Sequence, residues 1–430
     1  MPTSKDRMGD KIYKWAKDLF PINRSITGPG VRETLNYIKG ILPDLKIFEI
    51  PSGTKVFDWT VPEEWSIHSA YIENEFGERI LDFSNTNLHI VAYSEPINKW
   101  VTYEELDQHL YSLPEIPDAI PYVTSFYKRT WGFCLTHNQR EKLKKDIKYH
   151  VVINSKIEKG FLTYGEIIIP GKSKKEVLLS TYICHPSLGN NEISGIVVTM
   201  ALSEWLKNLS DREYTYRILF IPETIGAITY LSHNITVMKE TTIAGFVVTC
   251  VGDNRTYSFM PSRIGNTIAD KIARFTMKNY LDNFDEYSFL ERGSDERQYC
   301  SPLVDLPVVS VMRSKYGTYP EYHTSLDNLD LICPHGLGGA FEIISRCIEI
   351  LEMNHVYIVT NFCEPQLGKR GLYKLDSRIK SADTINNLLA YLDGKTDLID
   401  ISKLIQSDIY ECYTTIQELI NHSLVKKVIS

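Results

Sequence analysis

Between about residues 165 and 355 the chain alternates near-continuous apolar runs with segments of helical periodicity, and this alternation limits the fold more than any other feature. The stretches 176–183, 214–221, 243–251 and 306–312 read as buried strands. Between and after them, 193–206, 225–232, 266–280 and 337–353 read as helices. Strands buried on both faces and joined through helices pack as a parallel sheet covered on each side. The expected fold class is therefore α/β, with a mostly parallel central sheet flanked by helices. In such sheets ligands bind beyond the carboxyl ends of the strands. Any chemistry should sit just after each apolar run.

At 430 residues the chain exceeds what one hydrophobic core usually holds, and its texture changes along its length. Residues 1–50 read as two helices (6–20 and 31–41) and a strand (46–51) that belong with the α/β core of 165–355. Residues 51–164, rich in Tyr, Trp and Pro with short β-like runs at 80–83, 88–93 and 149–153, read as an inserted β-rich domain. Residues 356–430 carry three short helical segments and an apolar tail, the pattern of a small winged-helix domain. A net charge of −7 argues against nucleic acid as a partner, because phosphate contacts need clustered Lys and Arg. The last helix would present Asp408, Glu411 and Glu418, so protein or domain contacts are the expected use of this module. No run reaches the ~18 apolar residues that a membrane span needs. The 8 cysteines include no C-x-x-C pair. The expectation is a cytoplasmic protein with reduced thiols and no membrane partner.

Polar residues gather where the strands end. His185 follows the first run and leads through a small-residue loop to Glu192. An imidazole held on a rigid turn suits a metal ligand, and it equally suits a helix cap. Glu223 follows the second run, before Gly226. Burial there raises a carboxyl toward the pKa that a general base or acid needs; the alternative is a carboxylate meeting a helix N-terminus. Asp253, after the third run, is a ligand or a turn residue. His323 lies beyond the fourth run, with Asp327 or a backbone carbonyl to orient its ring. Asp295 binds a substrate amine or pairs with Arg297, and Tyr322 lines a pocket or packs. The sequence contains no H-E-x-x-H, G-x-S-x-G or Walker A motif, so neither a serine nucleophile nor a nucleotide fold is supported.

Taken in order, His185…Asn-Asn-Glu192-Ile-Ser-Gly195…Pro-Glu223-Thr-Ile-Gly226…Gly-Ser-Asp295…Tyr322-His323-Thr-Ser-Leu-Asp327 resembles the zinc aminopeptidases of the M28 type. It is most similar to a bacterial branch with a β-rich insert and a C-terminal winged helix. The resemblance implies a two-zinc site, with His185 and His323 as the first and last histidine ligands and Glu223 as the general base. Three anionic ligands of that pattern are missing: Asn191 stands at the bridging Asp, Thr224 follows the base, and Thr249 stands near the end of the next strand. Neutral Asn and Thr cannot offset the charge of two Zn²⁺ ions. The expectation becomes a single Zn²⁺ per chain, held by His185, His323 and either Glu192 or Asp253. Glu223 would take the proton of the bound water and pass it to the leaving amine. Asp295 and Tyr322 are the expected substrate contacts. The implied activity is a metal-dependent amide hydrolase, an aminopeptidase-like enzyme acting on a peptide or small amide. The alternatives are an amidohydrolase of N-acyl sugars or modified amino acids, and a non-catalytic binding or scaffold protein on the same fold.

Overall fold

The computed structural model describes residues 4–372 and 380–428. They form two compact units, Met1–Ile344 and Ser345–Ser430. The first is built on an eight-stranded sheet. Its strands are β1 (Lys46–Pro51), β2 (Phe161–Ile169), β3 (Glu176–Tyr182), β4 (Thr215–Ile221), β5 (Thr242–Val247), β6 (Ser258–Met260), β7 (Asp285–Glu286) and β8 (Val308–Met312). The spatial order is β1-β2-β4-β3-β5-β8-β6-β7. The middle strands β4, β3, β5 and β8 run parallel, while β1, β2 and β6 join antiparallel toward the edges. Every residue of β3 and of β8 is buried, as expected of strands covered on both faces. The mostly parallel sheet with flanking helices agrees with the reading of the sequence.

The helix Ser194–Asn208 carries the chain from β3 to β4, and Ile225–Thr241 carries it from β4 to β5. The latter runs past residue 232 because its second half is polar and only partly buried, so it shows no apolar stripe. Conversely, β5 stops at Val247 rather than 251, and Cys250 adopts a left-handed φ of 51°. The helix Pro29–Ile41 begins two residues ahead of the expected 31, on a proline; at the first turn its missing N–H costs nothing.

Within 51–164 the strands Arg79–Asp82, Glu64–Asn74, Tyr149–Glu158 and Ile97–Val101 form an antiparallel sheet. Its buried Ile72 and Val151 belong to the same apolar cluster as Tyr182 and Ile221 at the carboxyl ends of β3 and β4. The β-like run 88–93 is not a strand: Thr86 caps a short 3₁₀ turn, Asn87–His89, by accepting from the Leu88 amide. Further on, Pro121 bridges to Thr324, and the Tyr122 amide donates to the His323 carbonyl at 2.8 Å. This stretch therefore lies against the loop that follows β8.

The second unit has the strands Val356–Val359, Asp393–Asp397 and Val425–Lys427 in one antiparallel sheet. With them go the helices Lys380–Tyr391, Leu398–Ile405 and Ile409–Asn421. Asp397 and Asp408 cap the latter two by accepting from backbone amides. Three helices and a small sheet make the expected winged helix.

Candidate active site

The turns after β3, β4 and β8 converge. His185 and His323 lie with ring centroids 5.6 Å apart, and His185 Nε2 stands 3.7 Å from Glu223 Oε2. Each turn contains a non-glycine residue of positive φ: Ser187 at 46°, Thr224 at 62° and His323 at 55°. Such conformations persist only where the surroundings enforce them, and they gather at functional sites.

After β3 the chain enters its helix through a wide π-turn, Gly189–Ile193, a device common at functional sites. The Asp327 carboxylate accepts from the Asn190 and Asn191 amides and from the Tyr319 hydroxyl. Asp327 thus caps this turn, with both oxygens committed there rather than to His323. A Cβ at Gly189 would stand 2.3 Å from the Asn328 carbonyl oxygen. Gly189→Ala should therefore lower stability by about 1–3 kcal/mol, read as a drop in the urea midpoint; an unchanged midpoint would contradict this packing.

The π-turn brings Glu192 beneath His185, with Oε2 2.9 Å from Nδ1. On its other side Arg24 Nε stands 3.5 Å from Glu192 Oε1, and both side chains are fully buried. Arg24 also donates to the carbonyls of His185 and Leu19. Burial pushes the Glu192 carboxyl up, and Arg24 pulls it back. Because a guanidinium keeps its proton, this interior is neutral only with Glu192 ionised. An ionised carboxylate at Nδ1 fixes the hydrogen there and turns the Nε2 lone pair toward Glu223. Burial and the Arg24 charge push the His185 imidazole down to about 3, so it is neutral.

The Glu192 oxygens stand 2.9 Å from His185 Nδ1 and 3.5 Å from Arg24 Nε, so the carboxylate meets the Nδ1 side of the ring, away from the Nε2 that faces Glu223. Asp253 accepts from Asn190 Nδ2, the Arg255 amide, and the amide and hydroxyl of Ser314. Those four donors occupy it, and it ties the turn after β5 to the one after β8. Asp295 is 1% exposed and accepts from the Thr224 amide at 2.7 Å, while its Oδ2 has no hydrogen-bond partner. It supports the strained turn that carries Glu223. Tyr322 stacks on His323, with centroids 4.0 Å apart, and so backs that ring.

The donors fit one divalent ion. His323 Nε2 is buried without a hydrogen-bond partner, and burial, with His185 nearby, holds that imidazole at about 3 and neutral. Two neutral imidazoles would suit Zn²⁺, with the Glu223 carboxyl placed to meet a water on the ion. They do not suit a second ion. Tyr182 donates to Asn191 Oδ1 at 2.9 Å and shares a hydrogen bond with Thr249, so two of the substituted positions are closed into a neutral network. Cys184, missed in the sequence, has a ligand atom within 4.8 Å of those of His185 and Glu192. However, its Sγ accepts from the Glu223 amide, and burial pushes the thiol well up, away from the thiolate a metal needs.

Above these groups opens a cleft of about 310 Å³. Tyr122 roofs it, its ring 5.1 Å from His185 and 5.3 Å from His323. Trp59, Phe126 and Tyr127 form an aromatic side, and Arg297 and Thr224 stand beside Glu223. Arg24 has no local signal in the sequence; it matters through partners far along the chain.

The model of the DUF4910 family, a domain of unknown function, matches residues 13–354. The chain belongs to the DUF4910 family. A winged helix-turn-helix model matches residues 355–427. A Clostridium acetobutylicum protein named "Putative polysaccharide biosynthesis protein with aminopeptidase-like domain" is 43% identical over 399 residues, covering 92% of this chain and 91% of its own. A crystal structure from Clostridium acetobutylicum is 41% identical, with a TM-score of 0.93, covering 99% of this chain and 97% of its own. The zinc aminopeptidase BSAP of Bacillus subtilis is 12% identical, with a TM-score of 0.61, covering 81% of this chain and 95% of its own. The resemblance to zinc aminopeptidases thus holds for the fold of this DUF4910 chain.

Proposed function

We propose that the DUF4910 unit is an amide hydrolase that uses a single metal ion, Zn²⁺. The observation that carries this reading is the buried, unpartnered Nε2 of His323, across from His185 Nε2 and the Glu223 carboxyl. When bound, the ion supplies Lewis acidity and lowers the pKa of water. His185 and His323 would hold it, and Glu192 with Arg24 keeps His185 in the tautomer that ligation needs. Glu223 takes a proton from the attacking water and delivers it to the leaving nitrogen. Burial first, then the neighbouring Asp295, pushes the Glu223 carboxyl up, which suits a group that must hold a proton between those events.

Elemental analysis of protein purified without added metal tests this reading. About one Zn²⁺ per chain is expected, lost in His323→Ala together with hydrolysis of simple acyl amides. Protein that arrives metal-free and takes up no added Zn²⁺ would favour a binding module instead, the reading that the neutral Asn191 and Thr249 would then support.

For the winged helix we infer protein contacts. Its helix Ile409–Asn421 contains no Lys or Arg and starts from the Asp408 cap. Retention on DNA that weakens with salt would contradict this. No helix among the described residues is long and apolar enough to cross a membrane. All eight cysteines are free, which supports a reducing, cytoplasmic setting.

A further inference from the structure

The charges around the cleft point away from a peptide amino terminus. An α-ammonium needs a carboxylate to receive it. Among the cleft-lining residues the only carboxylate is Glu223, which the hydrolytic reading assigns to proton transfer. Asp295, Glu192 and Asp253 are buried and do not line the cleft; Asp295 accepts from the Thr224 amide, Glu192 faces His185 and Arg24 with Oε1 unbonded, and Asp253 is held by Ser314 and its neighbours. The only lining residue with a full positive charge is Arg297. It is exposed, and its Nη2 donates to Thr224 Oγ1 at 2.6 Å. That bond orients the guanidinium beside Glu223 and leaves its other N–H groups for a ligand. No carboxylate of the described residues forms an ion pair with it. The same cleft is lined by Trp59 and Tyr127, edge to face at 5.6 Å, partly exposed and without charge.

We propose that this cleft takes a small N-acylated acid, its carboxylate paired with Arg297 and its apolar body against Trp59 and Tyr127, in place of a peptide with a free amino terminus. The guanidinium fork matches a carboxylate in two parallel hydrogen bonds, and flat aromatic faces receive an acyl or ring group at little entropic cost. Arg297 is then a specificity residue: it fixes which end of the amide meets Glu223. The proposal rests on the hydrolase reading only for the fate of the bound amide; the recognition itself is independent of turnover.

Binding is measured by calorimetry in Zn²⁺-supplemented Glu223→Gln protein, which removes the base, with hippurate, its carboxamide and leucinamide as probes. Hippurate should bind at least about tenfold more tightly than the carboxamide, leucinamide should bind more weakly than hippurate, and Arg297→Gln should abolish the hippurate advantage. Equal affinity for hippurate and its carboxamide, an advantage that survives Arg297→Gln, or tighter binding of leucinamide would each overturn the proposal. Hydrolysis by the unmutated protein is scored separately. Arg297-dependent binding without any amide cleavage would defeat the hydrolase reading and leave this one standing. Cleavage without the charge preference would do the reverse.

Discussion

Glu223→Gln should leave the metal in place and cut amide hydrolysis by roughly 10²–10⁴-fold. The glutamine keeps the shape of the side chain, so His185, His323 and the turn after β4 stay where they are. What disappears is the proton acceptor facing His185 Nε2 across 3.7 Å. Single-turnover rates and elemental analysis of the same sample check both halves. Loss of metal along with activity would make Glu223 chiefly a ligand. Retention of full activity would remove it from the chemistry.

Arg24→Met should cost about 3–5 kcal/mol of stability. The substitution leaves the Glu192 carboxylate buried without its cationic partner, met by His185 Nδ1 and neighbouring backbone groups alone, and it strips a donor from the His185 carbonyl. Urea denaturation measures the loss. The double variant Arg24→Met, Glu192→Gln should recover a large part of it, because no unpaired charge then remains in the interior. Additive losses would show that Arg24 acts by packing alone. In the double variant a neutral amide that can donate as well as accept replaces the carboxylate at Nδ1, so His185 loses its fixed tautomer and metal affinity should fall by about 10–100-fold, the usual effect of removing a group that orients a ligand.

The parts of this molecule that were legible in the sequence are those set by local burial. The run 176–183 is apolar because β3 is covered on both faces, and the position of His185 just past it follows from the direction of a parallel strand. The same logic located Glu223 and His323. The sequence could not separate Glu192 from Asp253 as the acidic partner. Their neighbours are Arg24, more than a hundred residues upstream of Glu192, and Ser314, 61 residues beyond Asp253. Periodicity reports which face of an element is buried, not which donor fills a carboxylate. The partner of Asp295 was hidden for the same reason: it is the Thr224 amide, and a backbone donor leaves no mark in composition. The run 88–93 was misread because alternating apolar residues also serve an irregular loop when a threonine caps the turn before it.

The amide of Tyr122 that holds the His323 carbonyl joins two jobs that hydrolases often keep apart. In many enzymes the loop that chooses the substrate can be lengthened, shortened or exchanged while the reactive groups stay fixed. Here the chooser and the anchor are one hydrogen-bonded ladder, through Pro121 and Thr324. A graft that reshaped residues 119–125 would shift an imidazole as well as a wall. Diversification of substrate range in this lineage should therefore run through the Trp59 and Arg297 sides of the opening, where nothing holds a ring that the reaction needs.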